Sequence, residues 1–530
     1  MAGRRIRGLG PDAAAALIVG IGAVALLRTT LLPGAALWDT GEAQVAAAVL
    51  GTMHPPGFPA YVVLGWLTTV VLQPLGSPAF LMNLLSALLV GVAAGGAVLV
   101  ARRLGVPAAI AVATAAGFAT TPIVWDIGVA ADVHALHIAL VVVVTLALLR
   151  WERLARRYLA EPEDETLRRR SDRALVLAAA IFGLAVANHG LWLLLVPAIG
   201  LFVLAVDRRV LLRPRPVVAS LGACLAVAGV LYLELPLRAG VLGGAFRAPL
   251  VYGHPDTWDG FWDIVLARQF QGSIVSPLAD LGTKAHALLV LADQQLGPLT
   301  FVVPLALFIT AVRYPRYALL SGVATFVTCF FAASYANARI ERYYLGPVFF
   351  VWTWFAVSAG VVAELVLPRA RFAHVTDARR RLAWSGARAL LAAGLAVVLL
   401  VPTATNLQAR WHDADRSGDM TTQTWIDDMS STVKPHAVIV SWWSYSTALW
   451  YGQLVEGKLA GDWIVDDRVL VDLGWTDIRQ VIDSTLGLRP VYVLRLHVSE
   501  VQALSDAYVV SPVGRPSNLY QLTGRKEHVQ

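Results

Sequence analysis

Charge is what this chain has least of. Lys, Arg, Asp and Glu make up 15% of its 530 residues, against about 25% in a typical soluble domain. With 57% hydrophobic residues and a mean hydropathy of +0.62, this scarcity excludes an ordinary soluble protein. Cysteine is nearly absent too. Cys224 and Cys329 lie in apolar segments, which argues against a disulfide framework or a thiolate metal site. No H-x-x-x-H or H-E-x-x-H pattern occurs. The expectation therefore leans against a divalent metal, although one ligated with Asp39 or Glu42 is conceivable. No zinc-finger or RNA-binding signature accompanies the formal charge of +7. No nucleic-acid partner is expected, and the basic excess is read as loop bias in a membrane protein.

What is present is a succession of apolar segments long enough to cross a bilayer at roughly 1.5 Å per residue. They fall at roughly 14–32, 58–74, 79–100, 107–125, 131–150, 172–187, 190–206, 214–235, 296–312, 317–334, 343–365 and 385–402. The first reads as a retained signal anchor, because no small-residue cleavage site follows a short apolar core. The stretch 172–206 is broken at Asn188-His189-Gly190, a break tolerated where the backbone faces protein or water. Basic linkers at Arg102-Arg103, Arg150–Arg173, Asp207–Arg215, Arg313–Arg316 and Pro368–Arg388 are expected on the cytoplasmic side. That frame is self-consistent from residue 102 onward and places 126–130, 236–295, 335–342 and the C-terminal segment outside. Arg4, Arg5 and Arg7 also ask to be inside, and the parity then fails by one before residue 102. Either a crossing is missing or one segment does not span.

After Pro402 the character changes. Residues 403–530 carry charges, tryptophans and short β-rich runs. Strands are expected at Ala437–Ser441, Trp463–Val465, Val491–Leu494 and Tyr508–Val510, with helices near 446–455, 475–486 and 499–506. The alternation suggests a small extracytoplasmic α/β domain after a membrane domain of residues 1–402. It has no glycine-rich phosphate fingerprint. Its tryptophans, Trp442, Trp443, Trp450 and Trp463, read as core before they read as sugar-stacking surfaces.

The chemistry concentrates in Leu37–Pro59, LWDTGEAQVAAAVLGTMHPPGFP, just after the first apolar segment. It sets Asp39, Glu42 and His54 beside a hydrocarbon boundary, where carboxylates are tuned toward acid–base work. A local alternative has Asp39 and Glu42 forming a helix capping box. Around His54 the prolines deny a regular helix; His54 either contacts a phosphate or sugar or merely occupies a rigid entry turn. Asp132 and His134 open another span and would diverge on a regular helix, whereas His137 shares the side of His134. Asn188 and His189 are polar groups at membrane depth, which serve either function or an interhelical hydrogen bond. Arg238 ends one span. Trp258–Gln271, WDGFWDIVLARQFQ, reads as an interfacial amphipathic helix whose Arg268 either meets phosphate or snorkels. Arg339 and Arg342 lie in an outside loop with Tyr343, against the positive-inside bias. Anionic-substrate binding explains them, and pairing with Glu341 or the first-loop carboxylates is the competing account.

Together, WDTGE…HPPGFP, Asp132-Val133-His134-Ala135-Leu136, Ala187-Asn188-His189, Leu233–Arg238 and ANARIERYYL resemble the DUF2723 family, which includes TMEM260-type protein O-mannosyltransferases within the GT-C superfamily. Where that family often has Glu, this chain has Asp132 followed by His134. The resemblance implies a polytopic α-helical membrane protein with a GT-C glycosyltransferase-like fold and a small C-terminal α/β soluble domain. It implies an inverting enzyme that takes a hexose, such as mannose, from a polyprenyl-phosphate sugar donor. The acceptor would be an extracytoplasmic hydroxyl of a protein or glycan. Asp39 takes the acidic role, with Glu42 adjacent and His54 beside them; Arg238, Arg268, Arg339 and Arg342 are candidates to hold the lipid phosphate. Asp132, His134, Asn188, His189 and Tyr343 complete the expected substrate-binding set. No cofactor beyond the lipid donor is expected. Membrane lipids are partners, and the Ala/Arg/Val-rich composition points to a bacterial plasma (inner) membrane. The competing functions are a lipid-linked glycan flippase and a glycan ligase or polymerase.

Overall fold

The computed structural model describes residues 10–367, 378–495 and 497–526. Arg4, Arg5 and Arg7, and positions 368–377 of the Pro368–Arg388 linker, lie outside the described residues. Among those described, nine helices are long and apolar enough to cross a membrane, and Pro59–Val71 and Ala108–Ala119 are shorter apolar helices. Each expected apolar segment coincides with a helix or with a helix and its flanking turn. The last of the long helices, Ala378–Ala414, runs on through Pro402.

The first four helices set the geometry of the site: α1 (Pro11–Arg28), α2 (Trp38–Val49), α3 (Pro59–Val71) and α4 (Pro78–Arg103). Ser77 caps α4 by accepting from the Phe80 amide at 3.2 Å, Pro78 stands at its first turn, and Arg102 and Arg103 close it. Helices α1 and α4 pack antiparallel. Arg102 Nε reaches Asp12 Oδ1 at 2.7 Å at one end, and the Arg28 guanidinium lies 5.2 Å from the Phe80 ring centre at the other. Small residues permit the approach: a Cβ on Gly91 would lie 2.9 Å from the Gly20 carbonyl oxygen.

The end of α1 and the start of α4 therefore share one face. The chain between them leaves and returns on that face. Helix α3, with 13 residues, is about 20 Å long, short of the ~30 Å hydrocarbon core. With segment 58–74 left out of the crossings, in keeping with the antiparallel α1 and α4, the parity before residue 102 closes.

Two polar residues in the otherwise apolar α4 pin the loops above it. Asn83, fully buried, donates to the Leu32 carbonyl at 2.8 Å and the Gly34 carbonyl at 3.2 Å. Its oxygen accepts from Gln44 Nε2 at 2.9 Å and the Ala131 amide at 2.8 Å. One turn on, Ser86 Oγ accepts from the Asp132 amide at 3.1 Å. Every polar atom of the Asn83 amide is thus satisfied, as burial requires, and the 32–44 and 131–132 segments are fixed to one helix.

The C-terminal region carries five strands: β1 (Val438–Val440), β2 (Trp463–Val465), β3 (Val491–Leu494), β4 (Tyr508–Pro512) and β5 (Leu519–Arg525). Their order is β2-β1-β3-β5-β4, with β2, β1 and β3 parallel and β5 antiparallel to both β3 and β4. The alternation of side chains splits the sheet between two cores. Val438, Val440, Val491 and Val493 face a cluster with Leu470, Val481, Ile482 and Leu504. Ile439, Tyr492, Leu494 and Leu519 join the large cluster continuous with the membrane helices. The four expected strands and three expected helices are present, together with helices Thr421–Thr432 and Asp467–Asp472 and the additional strand β5. The β5 sequence LYQLTGR is half exposed and gives only a weak apolar signal.

Helix Trp443–Leu454 packs on α2, and Gly41 makes that contact possible. A Cβ at Gly41 would lie 2.3 Å from the Ala36 carbonyl oxygen and 2.8 Å from Thr447 Oγ1. Gly41→Ala should therefore lower the apparent Tm of the purified protein, with a cost of about 1–3 kcal/mol as for other overpacked contacts. A thermal melt in detergent that overlays the wild type refutes this.

Candidate active site

The first-loop residues and the distant polar residues converge in one ring of contacts. Arg342 Nη1 lies 3.0 Å from Asp39 Oδ2 and 3.3 Å from Asp132 Oδ2. Asp132 Oδ1 lies 2.8 Å from His134 Nδ1. The His134 ring is 5.0 Å from His189 and 5.7 Å from Tyr343. Phe58 links His189, at 5.3 Å, to His54, at 5.2 Å. His54 Nδ1 makes a short contact with Glu42 Oε2, and the His54 amide donates to Glu42 Oε1 at 3.0 Å. Asp39 and Glu42, both on α2, thus stand at the two ends of the chain of contacts.

The local structure explains these placements. The α2 N-cap is Leu37, with no side-chain capping bond, so the capping-box reading fails: Asp39 turns to Arg342 and Glu42 to His54. Asp132 is not helical. It caps the helix Val133–Ala160, accepting from the His134 amide at 2.8 Å. The expected divergence of Asp132 and His134 fails for that reason, since a cap residue folds back over the first turn. His189 caps the short 3₁₀ turn Gly190–Leu195 by accepting from the Leu191 amide at 3.1 Å. Asn188 makes an interhelical bond to the Val133 carbonyl at 3.2 Å. It stands behind the ring rather than in it.

Burial divides the carboxylates. The Glu42 side chain is 1% exposed, whereas Asp39 is 43% exposed and open to a substrate. Asp132 is sealed. Burial alone would raise its pKa, but Arg342 and His134 hold it well below the usual carboxylate range. At His54 burial works against the charged ring, yet Glu42, through its charge and hydrogen bond, and then Asp39 raise the pKa. His189 goes the other way: burial, followed by the neighbouring histidines, lowers it well below the ordinary value. That agrees with its neutral, accepting Nδ1.

The other arginines are employed differently. Arg238 Nε and Nη2 donate to the carbonyls of Leu50, at 2.7 Å, and Val49, at 3.3 Å. They satisfy the end of α2. Arg268 is exposed and pairs with Asp263 at 2.6 Å. The expected helix Trp258–Gln271 is in fact Trp258–Val265 and a 3₁₀ turn Arg268–Ser273, broken at Ala267, whose φ is +49°. Arg339 pairs with Asp126 and Glu341 at the exposed rim. Tyr343 sits among His134, His189, Phe331 and Tyr335. Gln44, Asn83, Ser86 and Trp38 escaped the sequence reading, and Trp443 reads there as core before it reads as a sugar-stacking surface. Asn83 and Ser86, polar residues three apart in a long apolar helix, carried a signal that points to these supports. Among the described residues, no group of three or more His, Cys, Asp or Glu is arranged to hold a metal ion.

Two outcomes follow. Arg342→Gln leaves Asp132 buried without its cation and should destabilise the protein by about 3–5 kcal/mol; an unchanged unfolding midpoint contradicts the ion-pair account. A raised His54 pKa contributes stability that is complete below the ordinary value of 6.5 and is lost as pH rises through the raised value. The wild-type Tm should therefore fall on the alkaline side, and His54→Gln should flatten that fall; parallel Tm–pH curves refute the assignment.

Residues 39–211 match the family model described as the protein O-mannosyl-transferase TMEM260 N-terminal domain. Asp39, Glu42, His54, Asp132, His134, Asn188 and His189 all lie within that region. A stretch of 106 residues is 38% identical to the protein O-mannosyl-transferase TMEM260 of Mus musculus; it spans 20% of this chain and 14% of the mouse protein. The whole fold is similar to that of ArnT from Cupriavidus metallidurans. The crystal structure bound to undecaprenyl phosphate gives a TM-score of 0.61 at 15% identity, covering 96% of this chain and 97% of that one. The apo crystal structure gives 0.60 at 13% identity, over 96% and 98% of the two chains. The chain is a multi-pass helical membrane protein with the GT-C glycosyltransferase fold and a small C-terminal sheet region.

Proposed function

We propose that this chain is a glycosyltransferase that moves a hexose from a polyprenyl-phosphate carrier to an acceptor hydroxyl in a single inverting displacement. The observation that carries the reading is Asp39. It is an accessible carboxylate, gripped by a buried guanidinium, across a short loop from a histidine whose charged form is favoured. The match of residues 39–211 to an O-mannosyl-transferase family model supports mannose as the hexose and a protein Ser or Thr as the acceptor. The undecaprenyl phosphate bound by the ArnT structure supports a lipid carrier of that class.

In this mechanism Asp39 accepts the proton of the acceptor hydroxyl, whose oxygen attacks the anomeric carbon. The bond from that carbon to the phosphate oxygen breaks, and its electron pair leaves with the lipid phosphate. A phosphate leaving group needs little acid help, so one base suffices. Arg342 fixes the Asp39 oxygen. The His54 imidazolium, anchored by Glu42, and Arg339 at the rim offset the charge growing on the departing phosphate. Glu42 is sealed, with both oxygens bound to His54, and serves as anchor rather than base. Arg238 supports α2, and Arg268 lies outside the reacting set. The membrane domain, residues 1–402, holds the donor. Residues 403–530 present the acceptor on the extracytoplasmic side of a plasma membrane.

The test is transfer of radiolabel from polyprenyl-phosphate hexoses to a membrane-extract acceptor by the purified protein in lipid. Asp39→Asn should cut transfer by about 10²–10⁴-fold while donor binding persists. Retained activity in that variant removes Asp39 as the base. Carrier movement without sugar-dependent release of free polyprenyl phosphate identifies a flippase instead.

A further inference from the structure

Trp38 and Trp443 have no part in the displacement just described, yet both stand at its mouth. Trp38 immediately precedes Asp39. It is 60% exposed, and its φ is +60°, a left-handed conformation that a bulky side chain adopts at a cost. Trp443 opens the helix Trp443–Leu454 of the C-terminal region. Its ring lies 6.4 Å from that of Trp38 and 5.6 Å from that of His54, edge-on in both cases. Its Nε1–H is buried with no hydrogen-bond acceptor among the described residues. Phe270 closes a third side of His54 at 6.1 Å.

We propose that Trp38 and Trp443 form a sugar-recognition platform, which rests on the glycosyltransferase reading and names how the hexose is held. A pyranose has an apolar face of C–H groups and a rim of hydroxyls. The exposed indole of Trp38 takes the face, and the unpartnered Nε1–H of Trp443 takes a hydroxyl. A tryptophan that only marks the membrane interface needs neither a left-handed backbone nor a contact with the C-terminal domain. An isoprenoid chain offers no acceptor to a buried N–H. The platform puts the sugar against Asp39 and His54 only when the C-terminal helix is seated on α2 through Gly41, so one residue of each domain completes it.

The experiment compares binding of polyprenyl-phosphate hexose and bare polyprenyl phosphate to the full chain in nanodiscs, for wild type, Trp38→Ala and Trp443→Phe. The second variant keeps an aromatic ring at the position and removes the N–H together with the pyrrole part of the indole. Each variant should lose about 3- to 10-fold of the preference for the sugar-bearing carrier, with bare-carrier affinity unchanged. If donor preference holds but the acceptor KM rises by that factor, the platform holds an acceptor sugar. Equal weakening toward both carriers, or no change in donor preference and acceptor KM, overturns the platform while wild-type transfer keeps the parent reading. A wild type that neither prefers the sugar-bearing carrier nor releases polyprenyl phosphate removes both.

Discussion

One guanidinium holds the site together. Arg342 comes from the turn before a long helix, and its two carboxylate partners come from α2 and from the cap of the helix Val133–Ala160. Its side chain is 8% exposed, so these charges meet where water screens them little. The contact with Asp39 spans 303 positions of sequence. It fixes the one accessible carboxylate of the ring relative to the His134–His189 wall. Without it the buried Asp132 carboxylate would keep only its contacts with His134, and the loops carrying Asp39 and Tyr343 would lose their common anchor.

Beneath this pair lies a second level of support, made of neutral hydrogen bonds. Asn83 and Ser86 project from α4 to the loops on which Gln44, Ala131 and Asp132 sit. Arg238 satisfies the far end of α2. The first loop is therefore an irregular segment whose backbone is tied at Gly34, Val49 and Leu50. Such bracing suits the role proposed for Asp39, because the oxygen of a base must hold a position that diffusion does not supply.

The helical frame was legible because membrane spans announce themselves by length and hydropathy, and because Ser77-Pro78 and Arg102-Arg103 mark helix ends. The grouping of Asp39, Glu42 and His54 was legible because they are close in sequence. Less could be read where tertiary context chose between equal local options. Burial alone separated Glu42 from Asp39. The break before residue 133 turned Asp132 from a helix residue into a cap. The bonds of Arg238 to the last carbonyls of α2 were not legible, because nothing in its own segment points to them. Segment 58–74 reads as a span because composition does not reveal that its helix has only 13 residues. Trp443 fell among residues read as core, since an indole in a partly buried helix looks the same by sequence whether or not its N–H is satisfied.

The helix Ala378–Ala414 passes from the membrane region toward the C-terminal sheet without a stop at Pro402. Near its end Trp411 donates to Thr29 at 3.0 Å and Arg410 to the Thr120 carbonyl at 2.9 Å. Such a connection is an axle rather than a tether. Each residue of an α-helix advances about 1.5 Å and turns about 100°. Adding or removing a single residue upstream of Arg410 would turn Arg410 and Trp411 by about 100° and part them from the Thr120 carbonyl and Thr29. Where most connections tolerate changes in length, here the number of residues is itself a structural parameter of how the helix end is seated.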